Sequence, residues 1–509
     1  MNWRRYGLLF LLNFLATSEF WSLYGAMSDE CLGVAGAQRI LRGEWPYRHW
    51  DSDITPGIYL VGALWFGIVG VSNYSIRILL SLISAFTSVF VQRLADRLLS
   101  GRVRYVPWLL WTTSGLMEFS VLNHHWLGSC FVLLGWNCLL DWQQSDSRRH
   151  RWAVGACTAL ALWSIQSEGL AMVLAVMFVG FRFGLKSTGE VVWAGIMCGL
   201  LLWLPFLDRI AVVLEQNVVA AAAHAAWNRN PYSLDCLKDF LKHYEGLSLS
   251  DGGLILAGAG SHLVFNVFRY VSLPVITLIL WIGAERRGRA LERVIAYAWL
   301  ASMLANHSRA TIVYVSFQGA GWALVLTLVL SWWSRGRWLA AALASFEVIG
   351  GLSRGALRRQ IYVHPVATRI GVFYSNNPAQ SQAAAMLGEW SQHWLAPGTR
   401  LAALPYAVHL YTHYGWTPVG RHLLMPPMHL NGVPVEDYRR AHEQMVRDRV
   451  PWLIFVDVDA EGVSGNYRIS VDQVRRQWDQ ARELLTQDYE QIAGNRDLGL
   501  YRRVERELK

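Results

Sequence analysis

Two adjacent carboxylates, Asp29 and Glu30, follow the first long apolar stretch of this sequence. A second polar cluster, Arg48-His49-Trp50-Asp51-Ser52-Asp53, comes soon after, ahead of Pro56-Gly57-Ile58-Tyr59-Leu60. Acidic side chains at the edge of a bilayer are costly unless they are well solvated or perform work. Two roles are open to the pair. It can take a proton from a reacting group as a general base, or end the preceding helix as solvated interface residues. His49, Asp51 and Asp53 also make a thin set of ligands for a divalent metal.

Three further polar groups interrupt apolar sequence. Asn123-His124-His125 opens one run, where His124 and His125 are open to contact with a phosphate or sugar, or to a place at the interface. Gln166-Ser167-Glu168 opens another, and Glu168 reads either as a functional carboxylate or as a charge complementing the positive end of a helix. Ser308-Arg309 lies between two runs, where an arginine binds anions or snorkels.

The elements that must position these groups are membrane helices. The 509 residues are 53% hydrophobic, include 26 Trp and are only 16% charged, against about 25% charged in soluble proteins. Apolar runs near the length that crosses a bilayer recur. They fall at 6–24, 75–94, 105–120, 126–140, 152–165, 170–183, 191–207, 263–282, 294–305, 312–333 and 338–352. This predicts a polytopic α-helical membrane protein of about eleven spans, its first helix uncleaved, with residues 1–354 as the membrane domain and 25–74 as its first outer loop. The apolar stretch 59–71 is too short to cross and reads as a helix lying in the interface.

Basic residues set the orientation. Arg4 and Arg5, Arg93 to Arg104, Arg148 to Arg151, and Arg286 to Arg293 fall in alternate connections, whereas the turns near Asn123 and Ser167 have no Lys or Arg. By the positive-inside rule the N-terminus is cytoplasmic, and Asp29, the His124 turn, Glu168, the 208–261 loop and the C-terminal part are outside. The net charge of +9 sits in these short clusters, so a nucleic-acid partner is not expected. Cys130, Cys138, Cys157 and Cys198 fall in apolar runs and read as buried small hydrophobes, while Cys31 and Cys236 fall in outer loops, where a disulfide between them is open. Residues 355–509 read as an extracytoplasmic α/β domain: strands at 401–404, 452–456 and 498–503, helices at 408–414, 435–446 and 471–485. No Gly-rich phosphate loop accompanies them, so no nucleotide is assigned.

The order of these motifs resembles a known family. The acidic pair, the amphipathic segment 35–41, Pro46-Tyr47-Arg48 and Pro56-Gly57-Ile58-Tyr59-Leu60 look like the polyprenyl-phosphate-dependent membrane glycosyltransferases, the GT-C superfamily. That superfamily includes protein O-mannosyltransferases and the aminoarabinose transferases of lipid A. Ser75-Ile76-Arg77-Ile78-Leu79-Leu80-Ser81 resembles the start of the family's second span, and Pro397-Gly398-Thr399-Arg400, Leu410-Tyr411 and Leu500-Tyr501-Arg502-Arg503 fit its C-terminal pattern. The resemblance is clearest over residues 24–100.

The resemblance implies an inverting hexosyl or pentosyl transferase that moves a sugar from a polyprenyl-phosphate donor to a lipid, glycan or protein acceptor on the outer face. It needs no cofactor, the divalent metal above apart. Asp29 would be the base, with Glu30 beside it; Arg48, His49, Asp51, Asp53, Arg77, His124, His125, Glu168 and Arg309 would bind substrate. Ile54-Thr55-Pro56 stands where many relatives have Lys-Pro-Pro, so Arg48, Arg77 or Arg309 must neutralise the donor phosphate instead. Relatives also often carry an Asp in the second outer loop, where this chain has His124-His125. A transporter or lipid flippase is the alternative, but the charges crowd one face and no half-repeat is visible. A scaffold displaying the α/β domain would leave the first-loop acidic cluster unexplained.

Overall fold

The apolar runs form helices because their interiors are rich in Leu, Ala and Trp and almost free of Pro. A computed structural model describes residues 3–23, 27–52, 54–116, 120–184, 187–219, 253–306, 317–404, 407–419, 435–456, 471–495 and 497–504. Helix α1 is Trp3–Thr17, α2 Met27–Leu41, α3 Gly57–Val69, α4 Asn73–Leu98, α5 Val106–Ser114 and α6 His124–Ser145. Then come α7 Arg148–Ser164, α8 Gln166–Phe183, α9 Thr188–Trp203, α10 Ile210–Leu214, α11 Gly253–Arg287, α12 Ala290–Ala305, α13 Gly319–Ser331 and α14 Ser334–Ile361.

Among the described residues, four helical stretches are long and apolar enough to cross a bilayer: Asn73–Leu98, Gln166–Phe183, Thr188–Val219 and Val267–Arg287. Each expected span coincides with a helix, but several are shorter than a crossing, and the count of about eleven remains an expectation. The clearest shortfall is α5, nine residues where 105–120 was expected. The surface left uncovered is apolar: Leu8, Leu12 and Leu15 on α1, Trp193 and Leu201 on α9, and Trp338, Ile349 and Leu352 on α14 are all exposed. Exposed apolar surface of this kind suits contact with lipid.

Small residues let the first-loop helices close on each other. Gly33 on α2 faces Ile58 on α3, and Gly62 on α3 faces Ala37 on α2; a Cβ at Gly36 would stand 2.4 Å from the Tyr59 ring. Helix α3 leaves Leu64 and Ile68 exposed, as a helix lying in an interface requires. At the opposite pole ion pairs bind neighbouring helices. Asp96 takes Arg5 and Tyr6 from α1, Asp141 takes Arg93 and Arg97, and Glu285 takes Arg182 and Tyr297.

The C-terminal part begins where α14, which runs through the expected boundary at 354/355, ends at Ile361. Strands β1 (His364–Thr368) and β2 (Gly371–Ser375) form an antiparallel hairpin, followed by α15 (Pro378–His393). A five-stranded sheet follows in the order β4-β3-β5-β7-β6. Its strands are β3 (Arg400–Leu404), β4 (Thr417–Pro418), β5 (Trp452–Val456), β6 (Tyr489–Gly494) and β7 (Leu498–Arg503). Strand β3 runs parallel to β4 and β5, and β7 antiparallel to β5 and β6. Helices α16 (Val408–Tyr414), α17 (Val435–Arg447) and α18 (Val471–Thr486) complete it. The hydrophobic core is continuous with that of the membrane helices, joining Leu401, Val408 and Tyr411 to Cys31 and Val34. The hairpin also hydrogen-bonds to the membrane part: Tyr374 N donates to Ser22 O at 2.7 Å and Asn73 N to Ile370 O at 2.9 Å.

Gly36→Ala drives a methyl into the Tyr59 ring, so we expect a stability loss of about 1–3 kcal/mol in a thermal melt of the purified protein. Gly7→Ala, where nothing lies within 4 Å, is the control and should leave the melt unchanged or raise it slightly.

Candidate active site

The first turn of α2 is held by a buried ion pair. Glu30 and Arg77 are both at 0% exposure, with Arg77 Nη1 at 2.9 Å from Glu30 Oε1. The same oxygen accepts the Leu122 amide at 2.8 Å. Arg77 donates further to the Leu23 carbonyl at 2.9 Å and to the Ser120 carbonyl. One guanidinium therefore ties together the chain after α1, the start of α2, α4 itself and the chain entering α6. Burial pushes the Glu30 carboxyl above the usual carboxylate range, and the Arg77 charge and Leu122 amide pull against that rise. Asp29 lies in the same first turn of α2, one residue earlier; its side chain is outside the described residues.

The rest of the first loop is built around Tyr47, a bulky residue at φ 64°. Such a conformation persists only where its surroundings impose it. Tyr47 is 1% exposed, packs edge-on to Phe206, donates to Ile54 O at 2.9 Å and accepts from Asn217 Nδ2 at 3.1 Å. Asn217 also accepts from Gln166 at the start of α8. Arg39, buried near the end of α2, pairs with Glu44 and lies 4.7 Å over the Trp50 ring, closing the loop onto its helix. Asp51 accepts from Gln216 at 2.7 Å, Arg48 pairs with Asp208 at 2.6 Å, and the exposed His49 accepts the Trp45 amide at 2.7 Å.

The starts of α6, α8 and α13 lie at the same pole. Asn123 caps α6 by accepting the His125 amide. His125, 4% exposed, stacks on Phe317 with ring centroids 4.5 Å apart, and its neighbour His124 lies 4.3 Å away. One turn on, Gly128 makes room for Glu168: a Cβ there would stand 3.0 Å from Glu168 Cγ, itself on a residue only 3% exposed. Beside Phe317, Gly319 admits the guanidinium of Arg269, whose Nη1 would be 3.1 Å from a Cβ at that position. Arg269, on α11, is 2% exposed.

This geometry brings Glu30, Arg77, His125 and Glu168 to one pole, linked through Leu122, Asn123 and Gly128. It places Arg48 and Asp51 on the first loop against the 205–217 segment and His49 beside them on the same loop. Asp53 and Arg309 lie outside the described residues. The geometry revises two expectations. Glu30 is enclosed by protein and paired with Arg77 rather than open to the outer face. Arg77 is fully buried and bonds Glu30 and two carbonyls rather than standing open at the outer face. Sequence reasoning passed over Arg269, although an arginine inside the apolar run 263–282 was a visible signal. It also missed that Cys31 is fully buried against His413 of α16, Sγ to Nε2 3.6 Å, rather than open to a disulfide; Cys236 lies outside the described residues. Among the described residues no three His, Cys, Asp or Glu gather as a metal site.

No protein-family profile matches this chain, and no curated protein does. Solved structures do. ArnT from Cupriavidus metallidurans bound to undecaprenyl phosphate is similar over 98% of this chain and 97% of its own, with a TM-score of 0.55 at 10% identity. The archaeal oligosaccharyltransferase AglB from Archaeoglobus fulgidus, in complex with an inhibitory peptide and a dolichol-phosphate, matches over 99% of this chain and 75% of its own (TM-score 0.54, 12% identity). The A. fulgidus oligosaccharyltransferase in complex with Zn and sulfate gives 97% and 73% (TM-score 0.52, 11% identity). At such identities the likeness is one of fold, and it spans helices and C-terminal part together.

Removing one partner of a buried ion pair typically costs about 3–5 kcal/mol. Arg77→Ala should therefore lower the thermal midpoint sharply. Arg77→Lys should recover only part of the loss, because a single ammonium cannot reproduce the fork that reaches a carboxylate and two carbonyls. Equal stability of Arg77→Ala and the unaltered protein would contradict the assignment.

Proposed function

We propose that this chain is an integral membrane glycosyltransferase that takes a sugar from a polyprenyl-phosphate carrier and passes it to a hydroxyl of a lipid, glycan or protein acceptor on the outer face. The observation that carries the reading is the end-to-end similarity of fold to ArnT bound to undecaprenyl phosphate, with an acidic pair at the start of α2. The positive-inside pattern supports an outer-face position for that pole. Nothing in the arrangement favours the transporter reading over this one.

Asp29 is the base. As the acceptor hydroxyl attacks the anomeric carbon, its proton passes to the Asp29 carboxylate; the bond to the phosphate oxygen breaks, and the carrier leaves as polyprenyl phosphate. A single displacement inverts the anomeric centre. A phosphate is already a good leaving group, so a general acid is less necessary. The phosphate needs cations, and the candidates are Arg269 at this pole, Arg48 and Arg309. Burial strengthens such a contact, because charges attract more strongly in a low-dielectric site. Glu168 and His125, buried at the same pole, are the candidates to contact the sugar. The substrate enters from the bilayer, where apolar helices accept its tail.

Asp29→Asn should bind undecaprenyl phosphate like the unaltered protein but lose transfer by about 10²–10⁴-fold, the usual contribution of a general base. Binding is read by tryptophan fluorescence in detergent, and transfer by release of undecaprenyl phosphate from a pool of undecaprenyl-phosphate-linked sugars in native membranes. Turnover with nucleotide sugars and no lipid carrier would overturn the donor class, and full turnover in Asp29→Asn would remove Asp29 as the base.

A further inference from the structure

The start of α2 is gripped twice. Arg77 holds Glu30 from the membrane helices; the next residue, Cys31, is held by the C-terminal part. Cys31 is 0% exposed and His413 1%, and they meet across 382 residues of sequence at 3.6 Å. His413 is itself fixed. Its carbonyl accepts the Arg369 amide at 2.7 Å, and its ring lies 5.4 Å from Phe373 of β2 and 5.6 Å from His409. Further along α2, Thr412 donates to Gln38 at 3.3 Å. Burial raises the Cys31 thiol, with the Glu30 charge adding to it, and drives His413 well below the usual histidine range, with His409 and Arg77 adding to that. The contact joins the Cys31 sulfur to an imidazole nitrogen.

We propose that His413 is a positioning residue for the transfer: through Cys31 it fixes the first turn of α2, and so the base Asp29, from the C-terminal part. The inference rests on the reading of Asp29 as base. It makes the α/β part a component of the active site rather than an appendage, because a displacement of α16 moves the turn that carries the base. Misplacing a reacting group by about 1 Å can cost up to about 10²-fold in rate. The carrier lipid is held by other residues, so donor binding should not follow.

The test uses the full chain in native-lipid nanodiscs and the same pool of undecaprenyl-phosphate-linked sugars. His413→Phe keeps a ring against Phe373 and removes the nitrogen; Cys31→Ala removes the other half of the contact and serves if His413→Phe fails to fold. Each should lower kcat by about 10–100-fold with an unchanged donor KM. The double variant should lose no more than either alone. His413→Gln, which keeps a nitrogen, should recover part of the rate. In the Asp29→Asn background neither substitution should reduce the residual rate further, because the group they position is gone. Full turnover in His413→Phe and Cys31→Ala, a rise in KM in place of the fall in kcat, or losses that multiply with Asp29→Asn would overturn the inference and leave the base assignment standing. Full turnover in Asp29→Asn itself would remove the base, and this inference with it.

Discussion

The structure hangs on the buried pair of Glu30 and Arg77. A charge taken out of water is affordable only when a partner and further hydrogen bonds satisfy it, and here one guanidinium serves a carboxylate and two backbone carbonyls. The carbonyls belong to Leu23 and Ser120, so the pair fixes where α1 ends and where the chain enters α6. Everything else at this pole follows in register: Leu122 closes on Glu30, Asn123 caps α6, and His125 stacks on Phe317. A buried ion pair is a poor way to gain stability and a good way to specify one arrangement. On the proposed reading of Asp29 as base, a group that must meet a reacting hydroxyl needs such specification.

Packing around that node obeys the rules of membrane helices. With little hydrophobic drive between helices in lipid, small residues and interhelical polar contacts hold them together. Gly33, Gly36 and Gly62 bring α2 and α3 together. Asn13, Ser84 and Thr112 hydrogen-bond across α1, α4 and α5, and Trp21 donates to Ser81. The ion pairs of Asp96, Asp141 and Glu285 stay at the other pole, where they bind helices to one another. Ion pairs between helices close the bundle at that end, and the starts of α2, α6, α8 and α13 gather at the other around the Glu30–Arg77 pair.

Much of this was legible in the sequence. Apolar runs located the helices, and the short apolar stretches Trp452–Val456 and Leu498–Arg503 located β5 and β7 to the residue. Hairpin β1–β2 and strand β6 were not seen, since mixed polar sequence such as His364-Pro365-Val366-Ala367-Thr368 is a strand only when paired. Helix α15 was overlooked although Asn377-Pro378 is a cap followed by a proline at the first helical position. At the site, residue types were readable but pairings were not. Glu30 and Asp29 look alike in sequence; only tertiary contact shows Glu30 locked under Arg77. Arg77 likewise read as a phosphate ligand until its three partners were visible. Cys31 and His413 were beyond any sequence argument, because nothing local links residues 382 positions apart.

The central claim is that the pole formed by the first turn of α2, the start of α6 and Arg269 receives the phosphate of a polyprenyl lipid. An electron cryomicroscopy map of the protein in nanodiscs with undecaprenyl phosphate tests it most directly. The account predicts phosphate density within hydrogen-bond reach of Arg269 and beside the first turn of α2, with the tail running between helices into the bilayer. Phosphate density at the opposite pole, among Arg93, Arg97 and Arg182, would contradict it.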